Sequence, residues 1–401
     1  MIRRVLTARA LRAFADGFMA VVLPAYLLAL GLGQLEVGFI STATLLGSAL
    51  ATLAVGRWGH RFSIRRLLLG AALLMAATGL AFAGLSSLWP LLLVAFVSTL
   101  NPGSGDGSVF LPLEHTVLAA GTPDARRTTI FARYSFLGSI FGAVGALASA
   151  VPEALAAGDG MSMLAALRLM FVVYAVIGAV VWVLYLRMPD PHADVKKVAV
   201  PLGPSRGIVW RLAGLFSLDS FAGGLTLNSL LALWLFERFG MSLTAAGAFF
   251  FWTGLFSAAS QLAAPILARR IGLVNTMVFT HIPASVCLIG AAIVPTLELA
   301  LGLLLVRSAL SQMDVPARSA FVMSVVTPAE RPAAASFTAV PRSLASAASP
   351  SLAGAMFAAG AMAAPLVLCG VLKIAYDIAL FASMGKKEKG LRGQAFSRLG
   401  K

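Results

Sequence analysis

The stretch ADGFMAVVLPAYLLALGL (residues 15–32) decides how the rest of the chain is read, because it returns as LDSFAGGLTLNSLLALWLF (residues 218–236). Each copy is an apolar run of about 20 residues carrying one acid near its start, Asp16 or Asp219. That is the length a helix needs to cross about 30 Å of hydrocarbon. Against an overall offset of about 203–205 residues, two further landmarks follow in the same order: GRWGHRFSIRR (56–66) opposite PILARRIGLVN (265–275), displaced by a few residues more, and TPDARRTTIF (122–131) opposite TPAERPAAAS (327–336). Three landmarks in the same order indicate an internal duplication rather than two apolar sequences that happen to align.

Composition agrees with a membrane solvent. Of 401 residues, 59% are strongly apolar before 38 glycines are counted, only 12% are charged, and the mean hydropathy is +0.90. Soluble domains are about 45–50% apolar with glycine included, and so few charges would not cover a soluble surface of this size. Twelve spans can be drawn, at 12–32, 36–56, 66–85, 88–119, 128–150, 164–187, 212–236, 243–267, 272–294, 297–326, 333–357 and 363–384. The one long polar connection is MPDPHADVKKVAVPLGPSRGIVW (188–210). The expected organisation is an all-α, polytopic protein with a six-helix bundle over 1–187, a central loop over 188–211, a second six-helix bundle over 212–385 and a basic tail over 386–401.

The net charge of +15 does not indicate a nucleic-acid partner, because the cations alternate with apolar runs instead of forming one phosphate-binding face. Arg3, Arg4, Arg9, Arg12, Arg57, Arg61, Arg65, Arg66, Lys196, Lys197, Arg269, Arg270 and the tail KKEKGLRGQAFSRLGK fall on one set of connections. Glu36, Glu153, Asp159, Glu237 and Glu298 fall on the other. The positive-inside bias then puts both termini in the cytoplasm of a bacterial-type inner membrane. Cys287 and Cys369, both in apolar runs, are expected to be buried, inert thiols. The sequence contains no P-loop, HExxH, CxxC or nucleophile elbow, so neither an enzyme nor a cofactor or metal site is expected.

The duplicated six-plus-six pattern, with the loop GRWGHRFSIR between spans 2 and 3, resembles the major facilitator superfamily. That family's loop reads Gly-x-x-x-Asp-Arg-x-Gly-Arg-Arg. Gly56, Arg61 and Arg65 match it, whereas His60 stands for the acid and Ser63 for a glycine; the second copy keeps Arg270 and Gly272. The glycines of GSIFGAVGA (138–146) are similar to an exporter-associated motif of the fifth helix but lack its proline. The resemblance implies a transporter fold with two pseudo-symmetric bundles and a substrate site between them. Arg307 stands where the family's mid-helix arginine is expected.

An ionisable side chain within the membrane costs at least about 2.5–3.5 kcal/mol, so each such group requires a partner or a cavity. The segment NPGSGDGSVFLPLEH (101–115) should break span 4 at Pro102 and its glycines, with Asn101 and Asp106 lining the break. The proton-coupling candidates are Asp106, Glu114 and Asp314. The substrate candidates are Asn101, Asp106, Arg307, Asp314, Arg318 and Arg342; two close cations beside one acid, Arg318 and Arg342 with Asp314, suggest an anionic solute. Glu114 is expected to pair with Arg133 across the 4–5 turn, and Lys373 with Asp377 at i,i+4. Asp16 and Asp219 are expected to latch each bundle to a basic loop. His115 and His281 titrate near neutral pH when unperturbed.

The leading function is a monomeric secondary transporter that moves a small organic solute by alternating access with protons, efflux being one direction. The alternatives are a facilitator or anion exchanger using the arginines of spans 10 and 11, and a membrane solute sensor that carries nothing.

Overall fold

The computed structural model describes residues 1–101, 103, 108–123, 126–158, 160–189, 202–327 and 330–399, with backbone alone at 60, 128, 332 and 386–399. The described residues are nearly all helical. Ten helical segments are long and apolar enough to cross a membrane, among them Ile2–Ala29, Met163–Leu186 and Leu273–Ile293. Large apolar side chains face outward along them, including Leu80, Val306 and Ile378. Water would penalise such an arrangement, and acyl chains do not.

Two of the twelve expected spans take another form. Span 4 is split into α4 (Leu88–Val97) and α5 (Phe110–Ala120), as NPGSG requires; Asp106 lies outside the described residues. Span 11 is α15 (Arg331–Ala358), 28 residues long but less apolar than the ten. Two breaks were not anticipated. Span 7 is divided into α9 (Arg206–Gly224) and α10 (Asn228–Phe239), and span 10 into α13 (Leu297–Ser311) and α14 (Asp314–Val325). Gly223 and Gly224 weaken the first of these helices at its end. At the second, Pro316 has no N–H for the Gln312 carbonyl, and its ring displaces that carbonyl.

The duplication is visible in these details. α5 and α14 each begin two residues before a proline, Pro112 and Pro316. Beyond each helix an arginine Nε reaches back eight residues to a carbonyl near the helix C-terminus: Arg127 to Ala119 at 3.3 Å and Arg331 to Met323 at 3.2 Å. A cation at that end meets the negative pole of the helix dipole.

The chain divides into two compact units. The first comprises residues 1–196, 224–255 and 346–362, and the second 197–223, 256–345 and 363–401. In the first, α1 (Ile2–Ala29) packs on α6 (Arg127–Leu147) and on α8 (Met163–Leu186), which also meets α3 (Ile64–Gly84). The α1–α6 approach is backbone to backbone: a Cβ on Gly145 would overlap the Phe14 carbonyl, and one on Gly17 the Gly142 carbonyl. Small residues at such crossings let van der Waals contact replace the hydrophobic drive that lipid removes. The same unit takes in α10 and parts of two later helices. Glu153 accepts from the N–H groups of Leu243 (2.6 Å) and Thr244 (2.9 Å) at the start of α11 (Leu243–Ile271). Ser351 of α15 donates its hydroxyl to Thr42 at 2.7 Å. Gln34 bonds Glu237 at 2.9 Å.

In the second unit, Val209, Phe216, Met277, Phe321, Tyr376 and Leu380 form a buried core between α9, α12 (Leu273–Ile293), α14 and α16 (Ala364–Leu399). Gly272 precedes α12 with φ +103°, a conformation for which a side chain is strained. Glu330 ties the end of the central loop to the TPAER turn. Its carboxylate accepts from the Gly203 N–H, the Ser205 hydroxyl and the Thr327 hydroxyl (2.7 Å), and these bonds push it from 4.5 down to about 2.

Two expectations follow. A carboxylate whose folded value is depressed stabilises above its unfolded value and loses that contribution as pH falls towards the folded one. The protection factors of the amides at 203–205, measured against their intrinsic exchange rates at each pH, should therefore be high at neutral pH, fall between about pH 4.5 and pH 2, and already be low in Glu330→Gln. Replacing Gly145 by valine should destabilise the protein by about 1–3 kcal/mol through overpacking, measured as a lower melting temperature in detergent.

Candidate functional site

Charged side chains buried by the helices of the second unit converge on one carboxylate. Asp219, on α9, gives Oδ2 to Arg318 of α14 at 2.8 Å and Oδ1 to Lys373 of α16 at 2.6 Å. Arg318 also bonds Asp314, four residues earlier on α14, and its guanidinium lies 5.2 Å from the centre of the Phe216 ring. On the other side of Lys373, His281 of α12 places Nε2 at 3.3 Å from the ammonium and 3.8 Å from Asp219 Oδ1. Its Nδ1 meets both oxygens of Asp377, at 3.0 and 3.2 Å. Asp219, His281, Asp314, Arg318 and Asp377 are all buried, Asp377 completely. Arg342 of α15 is within electrostatic reach of Arg318 and donates from Nε to the Ser220 hydroxyl at 3.3 Å.

Three acids thus face three bases and one imidazole. With Asp377 ionised and accepting and Lys373 donating, the tautomer assigned to a neutral ring has the hydrogen on Nδ1 and the lone pair on Nε2. A group of this kind can take up a proton and redistribute ion pairs without any residue leaving the site.

The first unit holds a smaller counterpart. Glu114 of α5 is fully buried and accepts from Arg12 of α1, from Tyr134 of α6 at 2.5 Å and from Tyr185 of α8. Arg12 lies 3.9 Å from the centre of the Phe110 ring. Both carboxylate oxygens are bonded, an arrangement that clamps four helices together.

The two clusters correspond with their roles exchanged. At an offset of 204, Glu114 falls on Arg318 and Arg12 on Phe216. In the first unit the arginine stands on the leading helix and stacks on the split span; in the second it stands on the split span and stacks on the leading helix.

Several sequence expectations need correction. Glu114 pairs with Arg12, not Arg133, which is exposed; Arg133 is one residue from Tyr134 and so points away from the contact. Lys373 and Asp377 do not pair with each other: Lys373 bonds Asp219 and Asp377 bonds His281, since partners on facing helices lie nearer than the next turn. Asp219 is held inside the bundle by Arg318 and Lys373, not by a basic loop. Asp16 is within electrostatic reach of Arg12 and Tyr174. The positive charge expected at Arg318 is balanced by two carboxylates. Arg307 is within electrostatic reach of Cys369, as Lys373 is.

The other candidates have local roles. Asn101 is buried and accepts from the Gly103 N–H at 3.1 Å, turning the chain within the span 4 break. In the 2–3 loop, Arg65 donates to the Leu186 carbonyl at the end of α8. Ser63 caps α3 by accepting from the Arg66 N–H at 3.3 Å. Gly56, Arg61 and Arg270 are exposed, and the His60 side chain lies outside the described residues.

Removing one partner from a buried, hydrogen-bonded pair leaves the other charge unpaired and costs about 3–5 kcal/mol. Glu114→Ala should destabilise the protein by that amount, while Arg133→Ala stays within about 0.5 kcal/mol. Thermal unfolding of the purified protein checks this, and equal losses would contradict the assignment of partners.

A family model described as Major Facilitator Superfamily matches residues 5–311. An uncharacterized membrane protein of Saccharomyces cerevisiae is 23% identical over 354 residues, 79% of each chain. The fold is similar to that of the nucleoside transporter NupG, with a TM-score of 0.73 at 14% identity over 95% of this chain and 98% of that one. It is equally similar to the inward-open xylose transporter XylE from E. coli, with a TM-score of 0.73 at 14% identity over 95% and 96%. The chain belongs to the Major Facilitator Superfamily and is a multi-pass membrane protein of the transporter kind, not an enzyme.

Proposed function

We propose that this protein is a monomeric secondary transporter that moves a small organic solute across a bacterial-type inner membrane by alternating access, coupled to protons, with both termini cytoplasmic. The observation that carries the reading is the buried cluster around Asp219. Buried ion pairs are weak stabilisers, often bettered by apolar residues of equal volume. A membrane-embedded set of this size is more readily understood as a path for protons or ions.

In this reading Asp314 and Arg318, together with Asp219, Lys373 and His281, form the coupling centre. Glu114 serves as a clamp, its two oxygens accepting donors from three other helices. Asn101, Asp106, Arg307 and Arg342 remain the substrate-facing candidates. The two expected bundles, 1–187 and 212–385, supply the moving bodies. The xylose and nucleoside transporters of the same fold direct the first choice of solutes, since neutral polar molecules suit a centre whose own charges balance.

A facilitator or anion exchanger is the second reading, favoured by Arg342, whose guanidinium bonds a neutral hydroxyl. Proteoliposomes separate the two. With an acid-outside gradient, uptake of xylose, uridine or p-aminohippurate should exceed equilibration and collapse with a protonophore. Asp314→Asn should lower gradient-driven uptake at least about tenfold in folded protein. Uptake indifferent to the protonophore would favour the exchanger, and solute binding without flux would favour a sensor.

A further inference from the structure

Among the ionisable groups around Asp219, His281 is the one whose unperturbed titration lies near neutral pH. The groups facing it come from several helices. α16 contributes Lys373, Tyr376 and Asp377, and α9 contributes Asp219. Through Asp219 it meets Arg318 and Asp314 of α14, with Arg342 of α15 beyond. From α13, which also packs on α12, the charged group is Arg307, within electrostatic reach of Cys369.

Besides the carboxylate oxygens, the set holds one nitrogen with a lone pair, His281 Nε2, which faces Lys373 at 3.3 Å. We propose that His281 Nε2 is the atom that binds the coupling proton, and that protonation makes Asp219 exchange Lys373 for His281. This assignment rests on the reading of the protein as a proton-coupled carrier and gives that reading an atom and a partner switch.

The chemistry balances with one proton and no other reactant. H⁺ adds to the neutral imidazole; Nδ1–H stays on Asp377, and the ring becomes a cation. An imidazolium and an ammonium 3.3 Å apart repel strongly in a low-dielectric interior. Asp219 Oδ1 is the oxygen both can reach, Lys373 at 2.6 Å and His281 Nε2 at 3.8 Å. When Nε2–H claims it, Lys373 is released, while Oδ2 remains with Arg318. The tie from α9 to α16 is replaced by one from α9 to α12. A single proton therefore changes which helices are joined, as a coupling step needs.

The proton itself serves as the probe, so the test requires no identified solute. Full-length protein is labelled with ¹⁵N-histidine in lipid nanodiscs, and the His281 resonances are assigned by difference from His281→Gln. Near about pH 7.5 the ring should carry hydrogen on Nδ1 and none on Nε2, and near about pH 5 it should carry both. Asp377→Asn should let the opposite tautomer appear. Lys373→Met should move the ring's titration midpoint by about one pH unit or more. A wild-type ring with hydrogen on Nε2 at neutral pH, or a midpoint indifferent to Lys373→Met, would overturn the proposal. If His281→Gln does not fold, Asp377→Asn and Lys373→Met carry the test on spectra assigned by depth-selective paramagnetic broadening. Gradient-driven uptake that survives in folded His281→Gln would remove the proton site and leave the carrier reading intact. A ring titrating as stated in a protein with no gradient-driven uptake would support the site and remove the carrier reading.

Discussion

Asp219 divides its two oxygens between Arg318 and Lys373, and the second unit is organised around that division. In hydrocarbon a lone carboxylate or ammonium is prohibitively costly, so each charge on α9, α14 and α16 obliges its neighbours to supply another. Once Asp219 is committed, Asp314 must take the other side of Arg318, His281 must turn towards Lys373, and Asp377 must take the far nitrogen of His281. Helix positions here are set by charge pairing as much as by packing, because lipid removes the usual hydrophobic drive between helices.

The first unit meets the same constraint differently. There one carboxylate, Glu114, accepts from Arg12, Tyr134 and Tyr185 together. Three donors on one acid make a clamp, whereas in the proposed reading an acid shared between two cations can change partners. The duplication has kept the framework, namely prolines at 112 and 316 and helix-end arginines at 127 and 331, and has inverted the charges set on it. In the proposed reading one copy is structural and the other chemically adaptable.

Much of the architecture was legible in the sequence. The apolar spans, the repeat offset and the interruption at NPGSG follow from period, length and backbone chemistry. So does the need for partners of Glu114, Asp219, Asp314 and Arg318. The identity of the partners was not legible, because pairing by nearness along the chain misled. Arg133 and Lys373–Asp377 looked adjacent through a turn or one helical step, whereas the contacts run between helices far apart in sequence. The break at Gln312–Met313 carried a readable signal, since Pro316 occupies the position of Pro112 one repeat later. His281 carried none, being a single imidazole in an apolar helix until α16 is brought against it.

The central claim is that the Asp219 cluster links proton movement to solute movement. The most direct measurement is the proton flux that accompanies solute addition, read by a pH-sensitive dye inside proteoliposomes with no imposed gradient. Solute influx should carry or displace protons in fixed proportion, and Asp219→Asn should abolish that flux in protein that still folds. Solute crossing the bilayer with no proton movement in the wild type would contradict the account.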